Sequence, residues 1–115
     1  MAKEMKAASE IGRSSRQRGQ SAERDVCALL NDALGTHLKR NLGQERDSGA
    51  DITFDRYGIQ VKYVKSLNIS KAWEQACIDA EKGELEPLVF HRKPGEHWKV
   101  TMDANEFIRL LREAM

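Results

Sequence analysis

Residues 49–65, GADITFDRYGIQVKYVK, hold two short alternating runs around a turn, and the alternation decides which residues share one face of a sheet. Ile52 and Phe54 alternate with Asp51 and Thr53; Ile59, Val61 and Tyr63 alternate with Gln60 and Lys62. Successive strand side chains point to opposite faces. If both apolar sets pack into one core, only registers that put Asp51, Gln60 and Lys62 on the same face are allowed. With DRYG as the loop, Asp51 falls opposite Lys62 and Thr53 opposite Gln60. The polar trio is then either a solvent-facing strand pair with a cross-strand ion pair, worth ~0.2–1 kcal/mol, or one wall of a site.

Upstream of this hairpin, Ala22, Val26, Leu29, Leu30 and Ala33 recur at helical spacing, which predicts a helix from about Arg16 to Leu34 with Gly35 as its C-cap. Residues 1–15 lack sustained periodicity and read as a mobile basic arm ahead of a single domain at 16–115. THLKRNL (36–42) alternates weakly and predicts a strand, followed by the loop GQERDSG. Downstream, Asn68 or Ser70 caps a second helix with Ile69, Trp73, Ala76, Cys77 and Ala80 as its buried stripe, and Gly83 ends it. PLVFHRK and HWKVTM predict a hairpin across KPGE, with His91 placed against Trp98. Asp103 then caps a last helix, with Glu106 set for a capping box and Phe107, Leu110 and Leu111 facing inward. The predicted order is α-β-β-β-α-β-β-α: an α/β domain with a central mixed sheet flanked by helices.

At 115 residues the chain has room for one modest core. No apolar run approaches the ~20 residues of a membrane span, so no membrane partner is expected and a cytoplasmic location follows. Cys27 and Cys77 stand apart rather than in CxxC pairs and read as reduced core thiols. The formal charge of +1 conceals an asymmetry: residues 1–71 carry 13 Lys and Arg against 9 Asp and Glu, and residues 72–115 carry 6 against 9. Basic residues concentrate in GRSSRQRGQ (12–20), in HLKR (37–40) and at Lys62, Lys65 and Lys71. A one-sided basic surface suits exchange of counterions for nucleic-acid phosphates.

Glu23 precedes Val26, Cys27 and Leu30 at helical spacing, so its carboxylate borders the buried stripe. It either reaches water or a cation such as Arg16 or Lys39 at the stripe's edge, or joins Asp51. In the second case Glu23, Asp51 and the Gln60 amide oxygen form a hard-oxygen set suited to Mg²⁺ or Mn²⁺, with Lys62 beside it.

Glu on the first helix, then GAD, then QVK on the following strand resembles the PD-(D/E)XK nuclease superfamily, and most of all its small Holliday-junction-resolvase-like enzymes, including those encoded by phages. The likeness runs over residues 16–111, through GQSAERDV, RDSGAD, QVKYVKSLNISKAWEQACIDA and VFHRKPGEHWKVTM. It implies a restriction-endonuclease-like core and metal-dependent hydrolysis of DNA phosphodiesters in branched or junction DNA, by a homodimer. By position, Asp51 becomes the central metal-binding carboxylate, Lys62 the lysine at the attacking water, and Glu23 the helix-borne carboxylate completing the site. Ser48 becomes a scissile-phosphate contact, while Arg13, Arg16, Arg18, Lys65 and Gln75 become DNA contacts, Gln75 having exposure on its helix as the alternative.

Gln60 stands where the family has Glu or Asp. Three readings are open: a natural variant ligating through its carbonyl, a site that has lost cleavage and kept DNA binding, and an engineered isosteric change. The alternative function is a catalytically inactive nuclease-fold module that binds DNA or protein.

Overall fold

The chain builds two hairpins joined by a helical crossover. The computed structural model describes residues 2–42 and 49–115, with side chains from Arg16 onward. Its elements are α1 (Ala2–Leu34), β1 (Ile52–Phe54), β2 (Tyr57–Tyr63), α2 (Ile69–Lys82), β3 (Glu86–Arg92), β4 (Lys99–Met102) and α3 (Ala104–Ala114). The four strands form one mixed sheet in the order β1-β2-β3-β4, antiparallel at both ends and parallel between β2 and β3. The α/β class and mixed sheet are as predicted, but the order is α-β-β-α-β-β-α, with one strand fewer.

The missing strand is THLKRNL. Residues 36–42 do run beside β1, where the Asn41 N–H donates to the Asp51 carbonyl at 2.7 Å and the Asn41 side-chain amide donates to Ala50 O and Thr53 Oγ1. Its upstream end is held by Asn31 instead, whose Oδ1 accepts from the Leu38 N–H and Thr36 Oγ1 and whose Nδ2 donates to Leu38 O. Side-chain bonds thus replace the main-chain ladder, and no strand forms.

Helix α1 begins at Ala2 rather than at Arg16; the intervening stretch holds the helix formers Ala, Lys, Glu and Met and has no proline to stop it. It ends at Gly35, whose φ of +68° suits glycine and whose N–H donates to Asn31 O. Ala22, Val26 and Cys27 are buried against the sheet, whereas Leu29 and Ala33 of the predicted stripe are exposed. The core on this side joins Val26 and Cys27 to Ile52, Tyr57, Ile59 and Phe90.

On the opposite face, Ala72 and Ala76 of α2 pack on Val89, with Leu67 and Trp73 at the margin. Asn68 is the N-cap, its side chain accepting from the Lys71 N–H, and Gly83 is the C-cap, both as predicted. The predicted β3–β4 hairpin also forms. Pro94 and Gly95 take the second and third positions of its turn, Gly95 at φ +83° and the Glu96 N–H bonded to Lys93 O at 3.0 Å, a type II arrangement. His91, however, points away from Trp98: its Nε2 meets Thr101 Oγ1 at 2.9 Å. Arg92, one residue on and so on the other face, lies over both the Tyr63 and Trp98 rings.

Asp103 caps α3, accepting from the Asn105 and Glu106 N–H groups. Glu106 does not complete a capping box, because Tyr57 and Arg56 draw its carboxylate across to the β1–β2 turn. Phe107 and Leu111, predicted to face inward, are about half exposed at 51 % and 48 %.

Candidate functional site

The β1–β2 hairpin is tighter than DRYG implies. Its loop is Asp55-Arg56, with Asp55 at φ +52°, and Ile52 pairs with Ile59, Thr53 with Gly58 and Phe54 with Tyr57. Tyr57 leaves the loop because its ring is buried in the core while its hydroxyl donates to Glu106 Oε1 at 2.5 Å. The slip relative to the predicted register is even, so every side chain keeps its predicted face. What changes is the neighbour: continuing the observed register places Asp51 beside Gln60, with Lys62 one step further along.

Asp51 stands just before β1, its N–H bonded to Ile59 O. The next inward N–H of β2 on that side belongs to Val61, beyond the end of β1's pairing, and Asp51 Oδ2 accepts it at 2.9 Å. The carboxylate therefore acts as an extra strand acceptor and is held at the end of the hairpin.

Gln60 is buried under α2, at 6 % exposure. Its Nε2 donates to Gly49 O at 2.9 Å and to Asp79 Oδ2 at 3.0 Å. Both neighbours are acceptors, so the orientation of the amide is decided by its partners, and Oε1 is directed away from them. Asp79 is buried as well, and its Oδ1 accepts from Gln75 Nε2 at 3.0 Å and lies 3.5 Å from Lys82 Nζ. A Cβ on Gly49 would come within 2.6 Å of the Asp79 carboxylate, and Gly49 has φ +81°. Gly49, Gln60 and Asp79 thus form one close-packed polar unit behind Asp51. Sequence reasoning did not single out Asp79, although its spacing with Ala72, Ala76 and Ala80 puts an acid in an apolar stripe, the same signal that marked Glu23.

Glu23 is buried on the α1 side, with Arg40 Nη1 3.5 Å from its Oε2. Burial, and then the Glu23 charge, push the neighbouring Cys27 thiol above its ordinary pKa, so it stays protonated. Cys77 shifts the same way, chiefly by burial, and both cysteines are free thiols.

Lys62 lies where β2 ends and α2 begins, at the wall between two clefts. One, of about 570 Å³, is lined by Lys62, Ser66, Asn68, Lys71, Glu74 and Gln75. The other, of about 390 Å³, is lined by Arg18, Lys62, Lys65 and Pro94 among others. The first turn of α2 carries no acid, so its N-terminal N–H groups add to the positive potential there. Ligands of parallel strands gather at carboxyl ends, where this cleft opens.

Of the predicted contacts, Arg18, Lys62 and Lys65 come together at one cleft and Gln75 shares the other with Lys62, while Arg16 is exposed on α1. Lys65 lies beyond the end of β2 and shares a cleft with Lys62. Ser48 and the Arg13 side chain lie outside the described residues. Among the described residues, no three of His, Cys, Asp and Glu gather as a metal-holding group, and no helix is long and apolar enough to cross a membrane. The predicted metal set has only two carboxylates, Glu23 and Asp51, with an amide at Gln60. Asp51 and Gln60 are neighbours on the α2 face of the sheet, whereas Glu23 lies on the α1 side with Arg40; one carboxylate and an amide oxygen are donors of the kind Mg²⁺ takes while it keeps waters and phosphate oxygens. No protein-family model, curated protein or solved structure matches this chain.

Proposed function

We propose that this protein is a metal-dependent endonuclease of the PD-(D/E)XK type, acting on DNA phosphodiesters, with branched DNA as its substrate class and a homodimer as its working form. The observation that carries this reading is the placement of Asp51, Gln60 and Lys62 on one face of the β1–β2 hairpin, with Lys62 at the wall between two clefts, one lined by Lys71 and the other by Arg18 and Lys65. Asp51, already fixed by the Val61 N–H, and the Gln60 carbonyl oxygen are the groups that would hold Mg²⁺ or Mn²⁺, with Glu23 as the outlying carboxylate. The cation supplies Lewis-acid polarisation of a phosphoryl oxygen. Lys62 places an ammonium where a phosphate lies against Asp51 and offsets the negative charge that builds on it during displacement. Lys65, Lys71 and Arg18 bind flanking phosphates and set the strand's direction across the site.

The test is cleavage of labelled four-way junction, flap and linear duplex DNA with Mg²⁺ or Mn²⁺. The expected result is metal-dependent nicking of branched DNA that is lost in Asp51→Ala and reduced by about 100-fold or more in Lys62→Ala. The neutral amide at Gln60 favours a second reading, a nuclease-fold DNA-binding module without cleavage. Binding of all three DNAs without any product, with or without metal, selects that reading.

A further inference from the structure

Two side chains that meet behind Asp51 carry an inference that rests on the proposed metal-dependent function and deepens it. We propose that Asp79 is a positioning residue for Gln60: it holds the amide so that Oε1, rather than Nε2, is the end presented to a divalent cation. A carboxylate at position 60 presents oxygen whichever way it turns, whereas an amide must be held. Here both Nε2 hydrogens are engaged, by Gly49 O at 2.9 Å and Asp79 Oδ2 at 3.0 Å. Asp79 is in turn held through Oδ1 by Gln75 and Lys82.

The site is also shaped for this acid. Position 49 has no room for a side chain against the Asp79 carboxylate and adopts φ +81°, which suits glycine, and its carbonyl accepts the second Nε2 hydrogen. Exchanging amide for acid between Gln60 and Asp79 preserves the charge of the pair and a donor–acceptor match between the two side chains, while the bond to Gly49 O is lost. Gln60→Glu alone preserves neither, because it sets a carboxylate against both Asp79 and the Gly49 carbonyl in a buried place. Gln60 is therefore matched to its surroundings rather than a glutamate with one atom changed.

The experiment compares the full chain with Gln60→Glu, Asp79→Asn and the double exchange, reading thermal unfolding without metal and Mn²⁺ binding by electron paramagnetic resonance. Gln60→Glu is expected to lower Tm by about 5 °C or more, and the double exchange to recover part of that loss, the part due to Asp79. Asp79→Asn is expected to weaken Mn²⁺ binding by about 10-fold, the scale on which outer groups orient metal ligands. The double exchange should bind Mn²⁺ at least as tightly as the natural pair, because a carboxylate oxygen then replaces the amide oxygen. Additive Tm changes would overturn the pairing. Mn²⁺ binding indifferent to Asp79→Asn would overturn the positioning role alone, while absence of Mn²⁺ binding in all four proteins would overturn the metal reading and the role with it.

Discussion

Glu106 is the acid that ties the β1–β2 turn to α3. Tyr57 Oη donates to its Oε1, Arg56 reaches the same oxygen through Nε at 3.0 Å and Nη2 at 2.9 Å, and the Arg56 guanidinium also lies over the Tyr57 ring. The Tyr57 bond first, and Arg56 next, hold the Glu106 carboxyl below its ordinary pKa. A carboxyl depressed in the folded state contributes stability above its unfolded pKa, and that contribution is lost as pH falls through the folded value. Glu106→Gln should therefore lower stability at neutral pH and make the acid limb of a stability-against-pH curve shallower, as measured by urea unfolding between pH 7 and pH 3. At Gly49 the constraint is steric: alanine there must adopt a positive φ and meet the Asp79 carboxylate. Gly49→Ala should cost about 2 kcal/mol or more in chemical denaturation, whereas alanine at Gly19, which is open within 4 Å, should be tolerated.

The elements around the candidate site depend on local signals of unequal range, and this explains what was legible in advance. Caps and turns are encoded within four residues, so Gly35, Asn68, Gly83, Asp103 and the Pro94-Gly95 turn could all be read from sequence. Strand alternation likewise put Asp51, Gln60 and Lys62 on one face even though the register slipped. The slip itself was not legible, since it depends on Tyr57 meeting Glu106 on a distant helix. Nor was the loss of the THLKRNL strand, which turns on Asn31 and Asn41 bonding across the chain. Asp79 could have been marked by its place in an alanine stripe, as Glu23 was, but its pairing with Gln60 across the sheet and helix was not legible. Helix α2 carries both Asp79 and the wall of the Lys62 cleft, so its first turn matters to the site. Asn68→Ala removes the acceptor for the Lys71 N–H and should cost about 1 kcal/mol by denaturant unfolding. It should also weaken phosphate binding through Lys71.

Across the molecule, charge and apolar surface point in different directions. Arg18, Lys62, Lys65 and Lys71 border the clefts at the carboxyl end of β2. Neutralising Arg18 and Lys65 should reduce the slope of log affinity against log salt for duplex DNA by about 0.9 for each phosphate left without its cation, and leave sequence preference unchanged, as read by fluorescence anisotropy. A different region presents Val100 on β4 with Phe107, Leu111 and Met115 on or after α3, all large apolar residues with substantial exposure. Val100, Met102 and Phe107 line one shallow cleft, and Leu111 lies one helical turn beyond Phe107. β4 is the last strand of the sheet, so this apolar face adjoins an edge that can pair with another strand. Cutting both strands of a branched junction symmetrically requires two sites related by a twofold axis, and such an axis makes one patch its own partner. If the dimer forms here, the patch is covered while the cationic clefts stay open to DNA. Sedimentation should give a dimer for the natural chain and a folded monomer for Phe107→Glu combined with Leu111→Glu, with unchanged circular dichroism. In that monomer, single-strand nicking should persist while paired incision of a four-way junction falls, because each site keeps its own Asp51, Gln60 and Lys62 but has no partner across the axis.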